Sequence, residues 1–426
     1  MLPESTEQEP NDALKDLSTL SLPLLVNGKL EKRGDVDSFA CELAEGETLV
    51  AALEANSALG SGIDCILQIV DPQGFTLAWN HDARGLDPLV AFTAPKAGRY
   101  CIRLFGFPAQ PNSSIEFAGA ENYLYRLTLT SGPLLDHAQP LAIQRGSPTA
   151  VRLRGWNLPE DSPLIEATAS ESSAELLLFT AAAGTARVAV VEHPVVSEDS
   201  ESKLLTAPVV VSGGLDEPGE ADAYGFHAAK GEKLNFALQA LTLGFPLDGV
   251  LEIVDSTGKT VIENDDGARD VRDPALLFTA PAEGEYEVRV RDLHNRGGMR
   301  FAYLLKLAAP EPRFELSLAA GVFTLPAGGT VEIPITVNRV AGFAEEIEVS
   351  AAELPAGVTA EPVVSQAKGE SAKLVKLKLT AGEGAASGVV RIAGRVADSE
   401  KSEIARFPLP VAGSTHSAVW LTVKPK

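Results

Sequence analysis

Hydrophobic and polar residues alternate with a period of two in many short runs of this chain. Tyr286, Val288 and Val290 interleave with Glu287, Arg289 and Arg291, turning one face of the run to a core and the other to water. Ile66 to Val70 and Val250 to Val254 are compact apolar strands. Each ends in an Asp-x-x-Gly turn, Asp71 to Gly74 and Asp255 to Gly258, where glycine supplies the positive φ. Pro95-Lys96-Ala97-Gly98 and Pro281-Ala282-Glu283-Gly284 are turns that lead into further strands at Tyr100 and Tyr286. No stretch sustains a capped 3.6-residue repeat. The pattern predicts an all-β protein built of tandem antiparallel β-sandwiches of jelly-roll or immunoglobulin-like type.

The pattern also repeats itself. Gly34-Asp35-Val36-Asp37-Ser38-Phe39 with Ala44-Glu45-Gly46-Glu47 returns as Gly219-Glu220-Ala221-Asp222-Ala223-Tyr224 with Ala229-Lys230-Gly231-Glu232. Asp64 to Asp71 returns as Asp248 to Asp255, Asn80-His81-Asp82 as Asn264-Asp265-Asp266, and Phe92-Thr93-Ala94-Pro95 as Phe278-Thr279-Ala280-Pro281. Order and spacing hold throughout, so a domain has been duplicated. Four units are expected: a first copy at 1–132, a small Ig-like β module at 133–196, the second copy at 197–309, and a C-terminal Ig-like sandwich at 310–426. The last contains the strand-like run Val331 to Val337 and the turn Leu354-Pro355-Ala356-Gly357-Val358.

Composition narrows the function. Of 426 residues, 58 are Asp or Glu and 36 Lys or Arg, a formal net charge of −22. That field repels nucleic acid and anionic lipid. The apolar run from Leu20 to Val26 is interrupted by Ser21 and Pro23, far short of the roughly 18 residues a spanning helix needs, so no membrane insertion is expected. Met1 to Glu7 has no basic region or apolar core and does not read as a secretory signal, so the chain is expected either to be cytoplasmic or to be a piece trimmed from a secreted protein. The three cysteines, Cys41, Cys65 and Cys101, are expected as small buried thiols, with a Cys41–Cys65 or Cys65–Cys101 bridge as the alternative.

Glu7-Gln8-Glu9-Pro10-Asn11-Asp12, Gly28-Lys29-Leu30 and the Gly34 to Phe39 run resemble the opening of the bacterial pre-peptidase C-terminal domain. Gly98-Arg99-Tyr100-Cys101-Ile102-Arg103-Leu104 resembles its closing strand. The second copy fits the same family from Gly213 to Tyr286, with its Glu-Pro-Asn motif reduced to Glu192-His193-Pro194 or lost. The last unit looks like Ig-like modules that follow such repeats in planctomycete surface proteins. The resemblance implies a secreted or cell-surface accessory region attached to a larger parent chain, and a calcium site drawing on the Glu-x-Glu-x-Asn-Asp segment.

The residues themselves are consistent with calcium, which takes six to eight oxygen ligands. Glu7, Glu9, Asn11 and Asp12 bring four side-chain oxygen donors close together, and Asp35 and Asp37 match the family position on the folded body. Tyr123 or Tyr125 could complete the set. The bland alternative is a solvated acidic tail with Asp37 capping its own turn. No metal is expected in the second copy. The Asn264-Asp265-Asp266-Gly267 loop with Asp270 and Asp273 is expected to be structural.

Catalysis has little support: the six histidines are scattered, and no His-Glu-x-x-His, Gly-x-Ser-x-Gly or phosphate loop occurs. The expected function is therefore non-catalytic: adhesion, targeting or spacing, with a structural calcium ion in the first copy. The alternative is a module with a pocket for a polysaccharide or an extracellular protein around Trp79, Phe105 and Tyr123. Against that stands ordinary core packing of these aromatics. A hydrolase is the remotest reading.

Overall fold

The computed structural model describes residues 2–110, 116–159, 164–170, 173–180, 182–198, 203–267, 271–397, 399, 401–408 and 415–424. The chain is all-β and falls into two compact units, Met1–Ala309 and Pro310–Lys426. In the first repeat the strands are β1 (Glu4–Thr6), β2 (Leu24–Lys29), β3 (Asp37–Leu43), β4 (Thr48–Glu54), β5 (Ile63–Val70), β6 (Thr76–Asn80), β7 (Leu89–Thr93), β8 (Gly98–Pro108) and β9 (Leu124–Thr130). One sheet runs β1-β2-β9-β4-β7 and the other β3-β8-β5-β6.

The period-two pattern decides which side chains lie between the sheets. On β5, Ile63, Cys65, Leu67 and Ile69 are buried, while Asp64, Ile66 and Gln68 between them are only partly so. They meet Leu49, Ala51 and Leu53 of β4 and Leu127 and Leu129 of β9. Each fully buried leucine contributes roughly 1.5–3 kcal/mol relative to exposure. Cys41, Cys65 and Cys101 are free and buried, and burial raises all three thiols, Cys41 to about 12.

The second repeat copies this plan. Its sheets contain Val195–Ser197, Val209–Gly214, Ala302–Ala308, Lys233–Gln239 and Ala275–Thr279 on one side, and Leu204–Leu205, Ala221–Ala228, Gly284–Asp292, Gly249–Asp255 and Thr260–Asn264 on the other. Val195–Ser197 pairs in parallel with Val209–Gly214 just as β1 pairs with β2, so the second repeat begins at or before Val195. Between the repeats, residues from Leu134 to Val191 form two small sheets over a core that includes Leu135, Ile143, Val151 and Val188.

Each repeat carries a short helical turn, Asn56–Leu59 and Leu241–Leu243, held by one buried aspartate. Asp87 accepts the backbone N–H groups of Asn56, Ser57 and Ala58, and Asp273 those of Ala240, Leu241 and Thr242. Asp273 thus has a structural task; Asp270 lies outside the described residues.

The three parts of the first unit meet at one charge. Asp136, on Leu134–Gln139, has a side chain 1% exposed and accepts from Arg84 at 2.7 Å and from Arg300 at 3.0 Å. Arg84 is on Oδ1, and His137 Nδ1, 2.8 Å from Oδ2, shares that oxygen with Arg300. Arg300 also donates to the carbonyls of Ala83 and Gly244 and stacks over Phe245. A cavity of about 860 Å³ borders this node.

The second unit, Pro310–Lys426, is a separate sandwich. Its sheets contain Arg313–Ser317, Thr330–Val340, Leu374–Ala381 and Val358–Ala360 on one side, and six strands on the other, where Gly388–Arg395 pairs with Val419–Lys424, Ile347–Glu353 and Ser402–Ile404. Phe314, Ile333, Ile335, Leu377, Ile392 and Leu421 are among its core residues. Among the described residues of the chain, no helix is long and apolar enough to cross a membrane.

Candidate metal centre

The parallel pairing of β1 on β2 lays the start of the chain along the first sandwich. Glu7 continues that pairing through its N–H to the Asn27 carbonyl at 3.0 Å. Its carboxylate accepts from Lys29 N–H at 2.7 Å and from the Tyr125 hydroxyl. The same hydroxyl lies 2.6 Å from Asp37 Oδ2. Gly28, directly beneath, has no alternative: a Cβ there would overlap the Glu7 carboxylate and the Tyr125 ring.

Beyond Glu7 the segment bends over the start of β3. The Asn11 carbonyl accepts from Ser38 N–H at 3.1 Å, and Asp12 Oδ1 from Val36 N–H at 3.4 Å. Asp35 accepts from Glu31 N–H at 2.5 Å, with the Lys32 ammonium 3.7 Å from its other oxygen. Five carboxylates are thereby gathered into two overlapping groups, Glu7-Glu9-Asp37 and Glu9-Asp12-Asp35. Within each group the ligand oxygens lie within 4.8 Å of one another.

This arrangement is costly without a cation. Asp35 and Asp37 are fully buried and Asn11 is 6% exposed, yet Asn11 Oδ1, Asn11 Nδ2, Asp35 Oδ1 and Asp37 Oδ1 have no hydrogen-bond partner among the described residues. Burial, with the neighbouring Glu7 charge adding to it, pushes the Asp37 carboxyl up to about 9, against a partial offset from Tyr125. Burial likewise raises Glu9. Orphaned buried oxygens of this kind each carry a desolvation penalty of about 1–3 kcal/mol.

All six residues that the sequence singled out for metal, Glu7, Glu9, Asn11, Asp12, Asp35 and Asp37, come together here. Of the two tyrosines, Tyr125 is the one that reaches them; Tyr123 packs against the core and near Gly62. The aromatic trio is divided between core and surface. Phe105 is buried and stacks on Phe117, whereas Trp79, for which core packing is the plainer expectation, is 58% exposed.

The second repeat shows how the same backbone is neutralised differently. Its counterpart of Glu7 is Glu198, not the Glu192-His193-Pro194 stretch. Glu198 donates its N–H to the Ser212 carbonyl and accepts from Gly214 N–H at 2.6 Å, and Gly213 lies under Tyr303 as Gly28 lies under Tyr125. Counting onward from Glu198, Lys203 falls where the first repeat has Asp12. Tyr303 donates to buried Asp222 at 2.6 Å, and the Tyr224 hydroxyl lies 2.7 Å from the Tyr303 hydroxyl. Burial raises Asp222, and the Tyr303 bond and the Lys203 charge offset part of that. Tyr303→Phe is expected to cost about 1–3 kcal/mol in urea denaturation; an unchanged midpoint would mean this bond does not stabilise Asp222.

No family model matches the chain. A stretch of 103 residues, 22% of this chain, is 31% identical to a probable subtilase-type serine protease of Deinococcus radiodurans. That match spans 14% of the protease's length. Among solved structures, the pre-peptidase C-terminal domain of a Bacillus anthracis collagenase aligns over 25% of this chain and 95% of its own, with 15% identity and a TM-score of 0.21. A Clostridium perfringens ZmpB structure, comprising an M60 catalytic domain with two CBM51 domains, aligns over 64% of this chain and 33% of its own, at 8% identity and a TM-score of 0.18.

Proposed function

We propose that this chain is a non-catalytic accessory region of an exported bacterial protein, and that its first repeat holds a structural calcium ion. The observation that carries the metal is the set of buried oxygens without partners, on Asn11, Asp35 and Asp37, beside carboxylates within ligand distance of one another. Glu7, Glu9, Asp12, Asp35 and Asp37 with the Asn11 amide oxygen would supply the all-oxygen, carboxylate-rich shell that calcium prefers. The ion would replace missing hydrogen bonds and offset both the burial and the Glu7 repulsion that raise Asp37. Its work would be to pin the segment before β2 onto the sandwich.

The accessory role draws support from the duplication and from a protease match confined to a small share of that protease's length. The carboxylates of the cluster are engaged by backbone N–H groups and Tyr125, an arrangement suited to holding a chain in place. Extracellular calcium would keep such a site filled, which is the ground for placing the parent protein outside the cell.

Calorimetric titration of EDTA-stripped protein with calcium tests the metal. One site with an affinity on the order of micromolar is expected, with about 2.7 kcal/mol of added stability at a hundredfold excess over Kd. Glu9→Ala and Asn11→Ala should each abolish the heat and the rise in melting temperature. No heat and no rise in the unsubstituted protein would end the calcium reading.

A further inference from the structure

A row of side chains crosses the outer face of the β3-β8-β5-β6 sheet. Trp79 on β6 stands opposite Gln68 on β5, Gln68 opposite Arg103 on β8, and Arg103 opposite Ser38 on β3. The row ends at Ser38, whose N–H is taken by the Asn11 carbonyl. At its other end Trp79 is 58% exposed, and Phe75 and Leu77 just before it are 72% and 43% exposed. His81 stacks on the indole with ring centroids 5.4 Å apart and is itself held by Asp82 at 2.9 Å. The Arg103 side chain makes no hydrogen bond or ion pair among the described residues, and its Nε is buried without a partner. An unpaired guanidinium in a chain of net charge −22 calls for an explanation.

The second repeat is an internal control. At the same register it has Glu263 opposite Glu252, Glu252 opposite Arg289, and Arg289 opposite Ala223. There the arginine is paired, 2.7 Å from Glu287 and 3.8 Å from Glu252. The fold therefore accommodates a charged, self-satisfied row. In the first repeat Glu252 and Glu263 are replaced by Gln68 and Trp79, and Glu287 by Cys101. An arginine has been freed and an aromatic ring set two strands from it.

We propose that this row binds a neutral polysaccharide. Trp79 would cover the apolar face of one sugar ring, while Gln68 and Arg103 bond hydroxyls of the adjoining one. Strands lie about 4.8 Å apart, so the indole and the guanidinium are about 10 Å from each other, a span suited to consecutive rings. A polyanion would meet the repulsion of the whole chain. Addition of a foreign strand to the β6 edge is disfavoured by the bulge in β5–β6 pairing between Ile69 and Val70, and it would leave Arg103, two strands away, unsatisfied.

The test is affinity electrophoresis of the full calcium-loaded chain through gels containing a soluble β-glucan, xylan, mannan or polygalacturonate, with tryptophan fluorescence as a second readout. At least one neutral glycan is expected to retard the chain and change the fluorescence. Trp79→Ala should weaken binding about tenfold or more. Gln68→Glu, which returns to Arg103 the kind of partner its counterpart has, should weaken it several-fold, with melting temperatures unchanged in both variants. Four results would each overturn the proposal: no retardation by any neutral glycan, retardation by polygalacturonate alone, binding that survives Trp79→Ala, or a sedimenting dimer that Trp79→Ala dissolves.

Discussion

Asp136→Ala is expected to destabilise the unit Met1–Ala309 by about 3–5 kcal/mol, because it leaves buried cations without their counter-charge. Burial by itself would raise this carboxyl, but the His137 hydrogen bond and the charges of Arg300 and Arg84 outweigh it and hold it well below the usual range. Burial in turn lowers Arg300. Removing the carboxylate therefore exposes the full desolvation cost of Arg300, whose side chain is 12% exposed. A folded-state shift downward also means that this stabilisation is present above the ordinary carboxylate range and is lost on acidification. Denaturant unfolding of the variant near neutral pH measures the effect. A loss under about 1 kcal/mol would show that the node, despite its burial, contributes no more than an exposed ion pair.

In EDTA, the first repeat is expected to become less stable as the pH rises from the ordinary aspartate value of 3.8 towards about 9. Asp37 is shifted upward, so the folded chain holds a proton that the unfolded chain has released, and stability falls with pH across that window. Calcium should reverse the trend, since the ion does the work of the proton and competes with it. The gain in melting temperature on adding calcium should therefore be largest at the alkaline end and shrink in acid. Melting curves across the window, with EDTA and with calcium, decide the matter. An EDTA curve that is flat or rises with pH would contradict the upward shift of the buried Asp37 carboxyl.

Duplication marked the part of the acidic site on the folded body, where Gly34-Asp35-Val36-Asp37 has a visible echo at Gly219 to Asp222, while Glu7, Glu9, Asn11 and Asp12 were legible as four oxygen donors within six residues. The choice between Tyr123 and Tyr125 was not legible, since residues two apart share a face in any period-two reading and only the start of β9 at Leu124 separates them. Glu198 escaped notice because one glutamate is all that its segment retains of the Glu-x-Glu-x-Asn-Asp motif. The Asp136 node left no local trace. Its arginines lie 52 and 164 residues away in sequence, and no periodicity connects positions that only the packing of three sheet systems brings together. Trp79 was visible as specific to the first copy, but its exposure and the vacant partner of Arg103 depend on strand register.

Gene duplication ordinarily hands both copies the same weakness. Here the copies have parted: the first would draw its positive charge from the medium, while the second carries Lys203 and an extra tyrosine hydroxyl within its own chain. On the calcium proposal, one half of the ancestral design would be conditional on its surroundings and the other self-sufficient. A change in those surroundings would then be felt by one repeat and ignored by its twin, so that one molecule holds both the sensitive and the insensitive version of a single ancestral fold.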